Sequence, residues 1–230
     1  MRTHASAQLI GGRSHQCDAT ATFTVAGTRA YALLDGIGSN DAVRDWTRTY
    51  ARRLARAAAL TGAEAGLRSV HAAAAAEPGR DTWEAEFIPA AVAVVAVAAP
   101  GKPLEIAWCG DSRAYIDTPD GLHRYTKDHN MRQVLLDMGH EPGPYSRNRV
   151  TSYLGDRTAD PAIGSVTAPQ RGRLLLLSDG AYEPIEDAGL DVAKYLTGGP
   201  QRAARSLTAA AIEHASSRAD NATALVADLG

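Results

Sequence analysis

The sequence predicts an α+β protein with largely antiparallel sheets, on three observations. Short apolar or β-branched runs are closed by Gly-, Asp- or Asn-containing turns. An Ala- and Arg-rich stretch between Asp41 and Ala76 has helical character, and no repeat period or low-complexity linker divides the chain. Strands are expected at Ser6–Ile10, Ala19–Ala26 and Arg29–Leu34. Two helices follow within Asp41–Ala76, broken at Thr61-Gly62, with Asn40 as the N-cap. Further strands are expected at Phe87–Ala98, Leu104–Cys109, Arg113–Asp117, Ala162–Thr167 and Leu174–Leu177. Helices over His129–Met138 and Gln201–Ser217 precede a closing strand, Thr223–Asp228. The segment Gly139–Arg149, with two prolines and two glycines, reads as a surface loop.

Composition bounds what these elements can build. A chain of 230 residues that is 45% apolar and 22% charged can bury about 70% of its unfolded surface in one core, so a single domain over 1–230 is expected. A net charge of −2 gives no global basic field and argues against nucleic acid as a partner. The longest apolar run, Ala90–Ala99, is ten residues, against about 20 for a membrane span. No membrane partner is expected, and neither is a signal peptide. Cytoplasmic location and a monomeric state are the expectations. The two cysteines, Cys17 and Cys109, are too few for a disulfide scaffold and read as buried, reduced thiols.

The chemistry is carried by aspartates. Asp35, Asp111, Asp179 and Asp220 each sit in a tight turn beside a strand-like apolar run, with a fainter case at Asp18. Taken singly, an Asp-Gly is an ordinary turn. A fold that gathers several at strand ends faces repulsion of roughly 4 kcal/mol for each carboxylate pair about 4 Å apart at a surface dielectric. Protons or hard divalent ions must then neutralise them, and an all-oxygen donor set selects magnesium, manganese or calcium over zinc. The seven histidines show no metal-ligand spacing, and His129 reads as structural.

In order along the chain stand Arg13 before Asp18, Asp35-Gly36-Ile37-Gly38, Gly110-Asp111-Ser112-Arg113, Thr126 with Asp128-His129, Asn148 to Leu154-Gly155, Ser178-Asp179-Gly180, and Asp220-Asn221. Over nearly the whole chain this set resembles the metal-dependent protein phosphatases of the protein phosphatase 2C (PPM) type, in their bacterial form. The resemblance implies a four-layer α-β-β-α sandwich of two antiparallel sheets flanked by helices. It implies a serine/threonine phosphoprotein phosphatase using two Mn2+ or Mg2+ ions and room for a third. Asp35 would bridge two ions, Asp179 and Asp220 would complete one, and the Gly36 carbonyl would bind the other. Asp18 would hold ion-bound water, and Asp111 would share a third ion with Asp179. Asp35, Asp179 and Asp220 are thus the expected catalytic residues, with Arg13 as the phosphate-binding guanidinium. A water activated between two cations would attack phosphorus in line with the leaving oxygen. The implied substrate is a phosphorylated protein, such as a serine/threonine kinase or its targets, with Gly139–Arg149 as the flap that helps choose it. The rival expectation is an impaired phosphatase-like module that binds phosphoproteins. It is motivated by Ile37 after Asp-Gly, Cys17 before Asp18, and Ile88-Pro89-Ala90 where the family carries a Gly-Thr segment.

Overall fold

The computed structural model describes residues 3–80, 82, 88–157, 160–215 and 218–229. Ten strands form two antiparallel five-stranded sheets. The first sheet orders β1 (His4–Leu9), β10 (Ala222–Asp228), β9 (Arg173–Leu177), β6 (Arg113–Thr118) and β7 (Gly121–Arg124). The second orders β2 (Ala19–Val25), β3 (Thr28–Ile37), β4 (Ala90–Ala98), β5 (Leu104–Cys109) and β8 (Gly164–Ala168).

Residue alternation explains the layering. On β3 and β4 one set of side chains, including Ala32, Leu34, Ala93 and Val95, faces helices α1 (Asp41–Thr61) and α2 (Ala63–Ala75). The alternate set, Tyr31, Leu33, Val94 and Ala96, packs against Ala114, Leu174 and Leu225 of the opposite sheet. The far face of that sheet, with Leu175, Leu177 and Val226, is covered by α4 (Asp179–Asp187) and α5 (Pro200–His214). Three apolar interfaces therefore separate four layers, the expected α-β-β-α sandwich. Every residue of β4 is buried, because both its faces are covered.

The helix signals read from the sequence work as expected. The Asn40 side chain accepts from Val43 N at 2.9 Å and caps α1. Gly62, at φ 95°, ends it, and Glu105 Oε2 of β5 accepts from Ala63 N at 3.0 Å where α2 starts. Asn130 caps α3 (Met131–Asp137), whose start lies two residues inside the expected His129.

Three elements are not expected from the sequence: β7, α4 and a short 3-10 helix at Val192–Tyr195. The hairpin strand β7 is four residues long and mostly exposed, so it lacks an apolar signature. Helix α4 begins at the Ser178-Asp179-Gly180 block, which reads as a turn, and carries Pro184 inside it. Phe87, the expected strand start, and Ser216 and Ser217, at the expected end of the last helix, lie outside the described residues. Among the described residues no helix is long and apolar enough to cross a membrane.

Candidate metal centre and phosphate pocket

One edge of the sandwich collects the chain segments that carry the aspartates. Asp18 immediately precedes β2, and Asp35 lies near the end of β3, paired with Val92 of β4. Asp111 sits where the chain crosses from β5 in one sheet to β6 in the other. Asp179 opens α4 directly after β9, and Asp220 precedes β10. Central strands of both sheets thus end at one place, and a cavity of about 620 Å3 there is lined by Arg13, Asp35, Gly36, Asp111, Asp179 and Asp220 among others.

Local geometry fixes each approach. At Gly110 the backbone turns at φ 102°, and a Cβ there would stand 2.2 Å from Val92, so only glycine brings the Asp111 turn onto β4. His129 clamps the same turn: its N donates to the Gly110 carbonyl at 2.9 Å, its Nδ1 accepts from Gly110 N at 3.4 Å, and its ring stacks on Trp108. Its role is structural. Gly11, at φ 62°, lets the segment before Arg13 press against the backbone of Ala219 and Asp220, with Gly12 N donating to Ala219 O at 2.8 Å. Asn221 completes the seam, its Oδ1 accepting from Cys17 N at 2.8 Å and its Nδ2 donating to Ile10 O at 2.9 Å. Arg13 consequently reaches Asp220, NH2 to Oδ2 at 2.5 Å, both groups remaining partly exposed.

The electrostatics are those of crowded carboxylates, Asp18 and Asp111 buried and Asp35, Asp179 and Asp220 half-buried at the cavity wall. Asp18 is 2% exposed, and neither of its carboxylate oxygens has a hydrogen-bond partner. Burial raises its pKa to about 7; the Thr223 hydroxyl sits near enough to ease the shift, and the Asp179 charge adds to it. Burial and then the Asp179 charge likewise raise Asp111 to about 7. Asp35 is pushed well above the carboxylate range by burial and by the charges of Asp18, Asp179 and Asp220. Asp179 rises through burial and Asp220.

Two neighbours were missed in the sequence. Glu183, one helical turn beyond Asp179 on α4, lines the cavity, and burial followed by the Asp179 charge raises it to about 8. Arg147 of the Gly139–Arg149 loop also lines it, bonding both oxygens of Asp187 at 2.8 Å and Glu183 at 3.3 Å. An i, i+4 acidic repeat starting at Asp179 was the available signal for Glu183. It becomes visible only once α4 is recognised as a helix.

The donor set is all oxygen and crowded, with charges that burial and mutual repulsion leave unfavourable, which fits hard divalent cations. Among the described residues no three Asp, Glu, His or Cys are gathered in ligating geometry about one point. Asp220 is held by Arg13 instead, and the charges of Asp18, Asp179 and Asp220 all bear on Asp35. Cys17 is fully buried with its Sγ on the Asn40 carbonyl, and burial raises both its thiol and that of Cys109, the latter to about 12. Inert thiols result.

These raised carboxyls set a pH dependence. The folded chain binds protons that the unfolded chain, with carboxyls near pH 4, has already lost, so stability falls as pH rises through about 7. Buried His71 and His129, whose pKa values are lowered by burial, act in the opposite sense below about pH 6.5. Between pH 6.5 and 8 in chelator the melting midpoint is expected to drop by roughly 5 °C or more. With a saturating divalent cation, which needs the carboxylates ionised, the trend should flatten or reverse. A midpoint that climbs with pH in chelator would show that the carboxyls are not crowded as described.

Comparison with known proteins agrees with the fold. The family model for protein phosphatase 2C matches residues 28–134. The serine/threonine protein phosphatase PstP of Mycobacterium tuberculosis is 26% identical over 174 residues, covering 70% of this chain and 33% of its own length. The chain thus spans about a third of the length of the curated relatives it matches. A crystal structure of the M. tuberculosis phosphatase PstP/Ppp superposes with a TM-score of 0.77 at 25% identity, covering 99% of this chain and 98% of that one. The PstP catalytic domain solved with two manganese ions superposes at 0.74 with 24% identity, covering 99% and 97% of the two chains.

Proposed function

We propose that the chain is a bacterial, PPM-type member of the protein phosphatase 2C family and, from that premise, a metal-dependent serine/threonine phosphoprotein phosphatase, with residues 1–230 as one catalytic domain. The observation that carries the reading is the meeting of Asp35, Asp111, Asp179 and Asp220 with Arg13 around one cavity.

In this reading Asp35, Asp179 and Asp220, with the Gly36 carbonyl, would hold two Mn2+ or Mg2+ ions, Asp18 would hold ion-bound water, and Asp111 with Asp179 would hold a third ion. Support for manganese comes from the PstP catalytic domain, solved with two such ions. Bound divalent ions would supply charge neutralisation and an activated water for in-line attack on phosphorus. Arg13, at the mouth of the cavity beside Asp220, offers its planar guanidinium to two phosphate oxygens. Ile37 is exposed at the rim and cannot act as the acid for the departing serine or threonine oxygen, a role that falls to water in this reading. The Gly139–Arg149 loop, tied to α4 through Arg147, borders the cavity and meets the protein around the phosphoresidue. The substrate is a phosphorylated protein, a kinase or its targets, in the cytoplasm.

The rival reading, an impaired phosphoprotein-binding module, rests on Cys17 and Ile37. Cys17 is buried under Asn40 and does not line the cavity, which favours catalysis. Hydrolysis of a phosphothreonine peptide and of p-nitrophenyl phosphate, with manganese and with chelator, tests the choice. Turnover that requires manganese is expected. A folded protein that binds manganese and phosphopeptide without turnover would establish the binding module instead.

A further inference from the structure

Helix α1 starts at the rim of the phosphate pocket. His15 Nε2 meets Asp41 at 3.4 Å and Ser14 bonds Ser39 at 3.0 Å, next to Arg13 and Gly38 of the cavity wall. From there the helix runs back over the outside of its sheet for 21 residues. Between Asp45 and Glu64 the chain has no acidic residue but four arginines, Arg48, Arg52, Arg53 and Arg56, all exposed. Arg44 takes both nearby carboxylates, Asp41 at 2.5 Å and Asp45 at 2.9 Å. Arg48 lies in the field of Asp45 without an ion pair. Arg53 lies over the Tyr50 ring at 4.8 Å and Arg56 over Phe23 at 5.3 Å, contacts that leave both charges uncompensated.

Arg48, Arg52 and Arg56 follow at i, i+4 and i+8, one row of guanidiniums at axial steps of about 6 Å. Like charges at that spacing work against the helix. An exposed helical face with only a solubility role ordinarily mixes signs, as Glu64 and Arg68 do on α2 at 2.9 Å. A one-sign row in a chain of net charge −2 is also too local for nucleic acid or a broad membrane surface.

We propose that the Arg48–Arg52–Arg56 row of α1 is a docking track for an acidic segment of the phosphoprotein substrate, next to its phosphorylated residue. This rests on the phosphatase reading and narrows its substrate class. From Asp41 to Arg48 the helix rises about 10 Å, and from Arg48 to Arg56 about 12 Å more. An extended peptide covers these spans in about three and four residues. Counted from the rim at Asp41, the track therefore selects substrates whose Glu, Asp or further phosphoresidues begin no nearer than about three positions from the scissile phosphate and run over about four more, on one side of it.

The test compares three phosphothreonine peptides: one with Glu at those positions on the N-terminal side, one on the C-terminal side, and one with Gln throughout. For the wild type at low salt, one acidic peptide should show a KM about tenfold below the neutral one, the difference fading above about 0.3 M salt as screening shortens the interaction range. The Arg48→Gln/Arg52→Gln/Arg56→Gln variant, which relieves like-charge repulsion and should fold, is expected to lose that preference. Its turnover of p-nitrophenyl phosphate and the neutral peptide should stay within twofold, and Arg52→Gln alone should lie between. Fluorescence anisotropy of the same peptides reads binding without turnover, so absent hydrolysis would count against the phosphatase reading and still leave the track measured. Equal affinity for acidic and neutral peptides, or an acidic preference that survives the triple variant, overturns the proposal. So does tighter binding to phosphatidylserine vesicles than to any peptide, lost in the triple variant, which would make the partner a membrane.

Discussion

Asp179→Asn is expected to leave a folded protein whose turnover of a phosphothreonine peptide is lowered by about 10^3-fold, while its chelated form melts higher than the parent. The two effects have one origin. Asp179 is crowded by Asp220 and Asp35 in a buried site, so its negative charge is unfavourable until cations arrive. An amide keeps the shape and an acceptor for Gly180 N, which Asp179 Oδ1 now meets at 2.6 Å. It removes the charge that would hold a divalent ion, and a loss of about 4 kcal/mol in transition-state stabilisation corresponds to that fold-change. Steady-state kinetics and a melting curve in chelator check both halves. Activity retained within tenfold would remove Asp179 from the ion site.

Arg113→Ala is expected to cost about 3–5 kcal/mol of stability, read as a shift in the urea midpoint. Arg113 is buried at the start of β6 beneath α4. Its Nε and NH2 bond the two oxygens of Asp128 at 3.0 and 2.7 Å, its NH1 bonds Glu186 at 2.8 Å, and its Cζ lies 3.7 Å from the Tyr182 ring centre. Truncation leaves Asp128, 7% exposed, with only Arg124 at 2.9 Å to compensate it. The damage should reach the site as well, because Tyr182 OH donates to the Asp111 carbonyl at 3.0 Å and Asn130 Nδ2 reaches Asp111 Oδ2 at 3.4 Å. Arg113→Lys should recover only part of the loss, since an ammonium cannot serve Asp128 and Glu186 through one planar fork. A midpoint unchanged in Arg113→Ala would mean that water replaces the guanidinium at little cost.

The Gly-Asp-Ser-Arg block shows how far sequence reading reaches. Asp111 was legible because an apolar strand ends in a turn that exposes a carboxylate, and Gly110 because that turn requires a positive φ. The use of Arg113 was not legible, since its partners lie 15 and 73 residues away. Glu183 and Arg147 were missed for a related reason. Each has an ordinary local context, and only the packing of α4 against the Gly139–Arg149 loop makes them neighbours of the aspartates.

By itself the sequence determined most strands and helices, though not β7 or α4, together with the capping of α1 by Asn40, the break at Gly62 and the ordered aspartates, because each depends on side-chain period or turn chemistry within a few residues. Only the tertiary structure decided that β3, β9 and β10 end at one edge, that Asp18 is sealed without a hydrogen-bond partner, and that Arg13 faces Asp220. These are long-range facts. They follow from how two twisted sheets bury their apolar faces against each other, a balance summed over the whole core and written in no local stretch of chain.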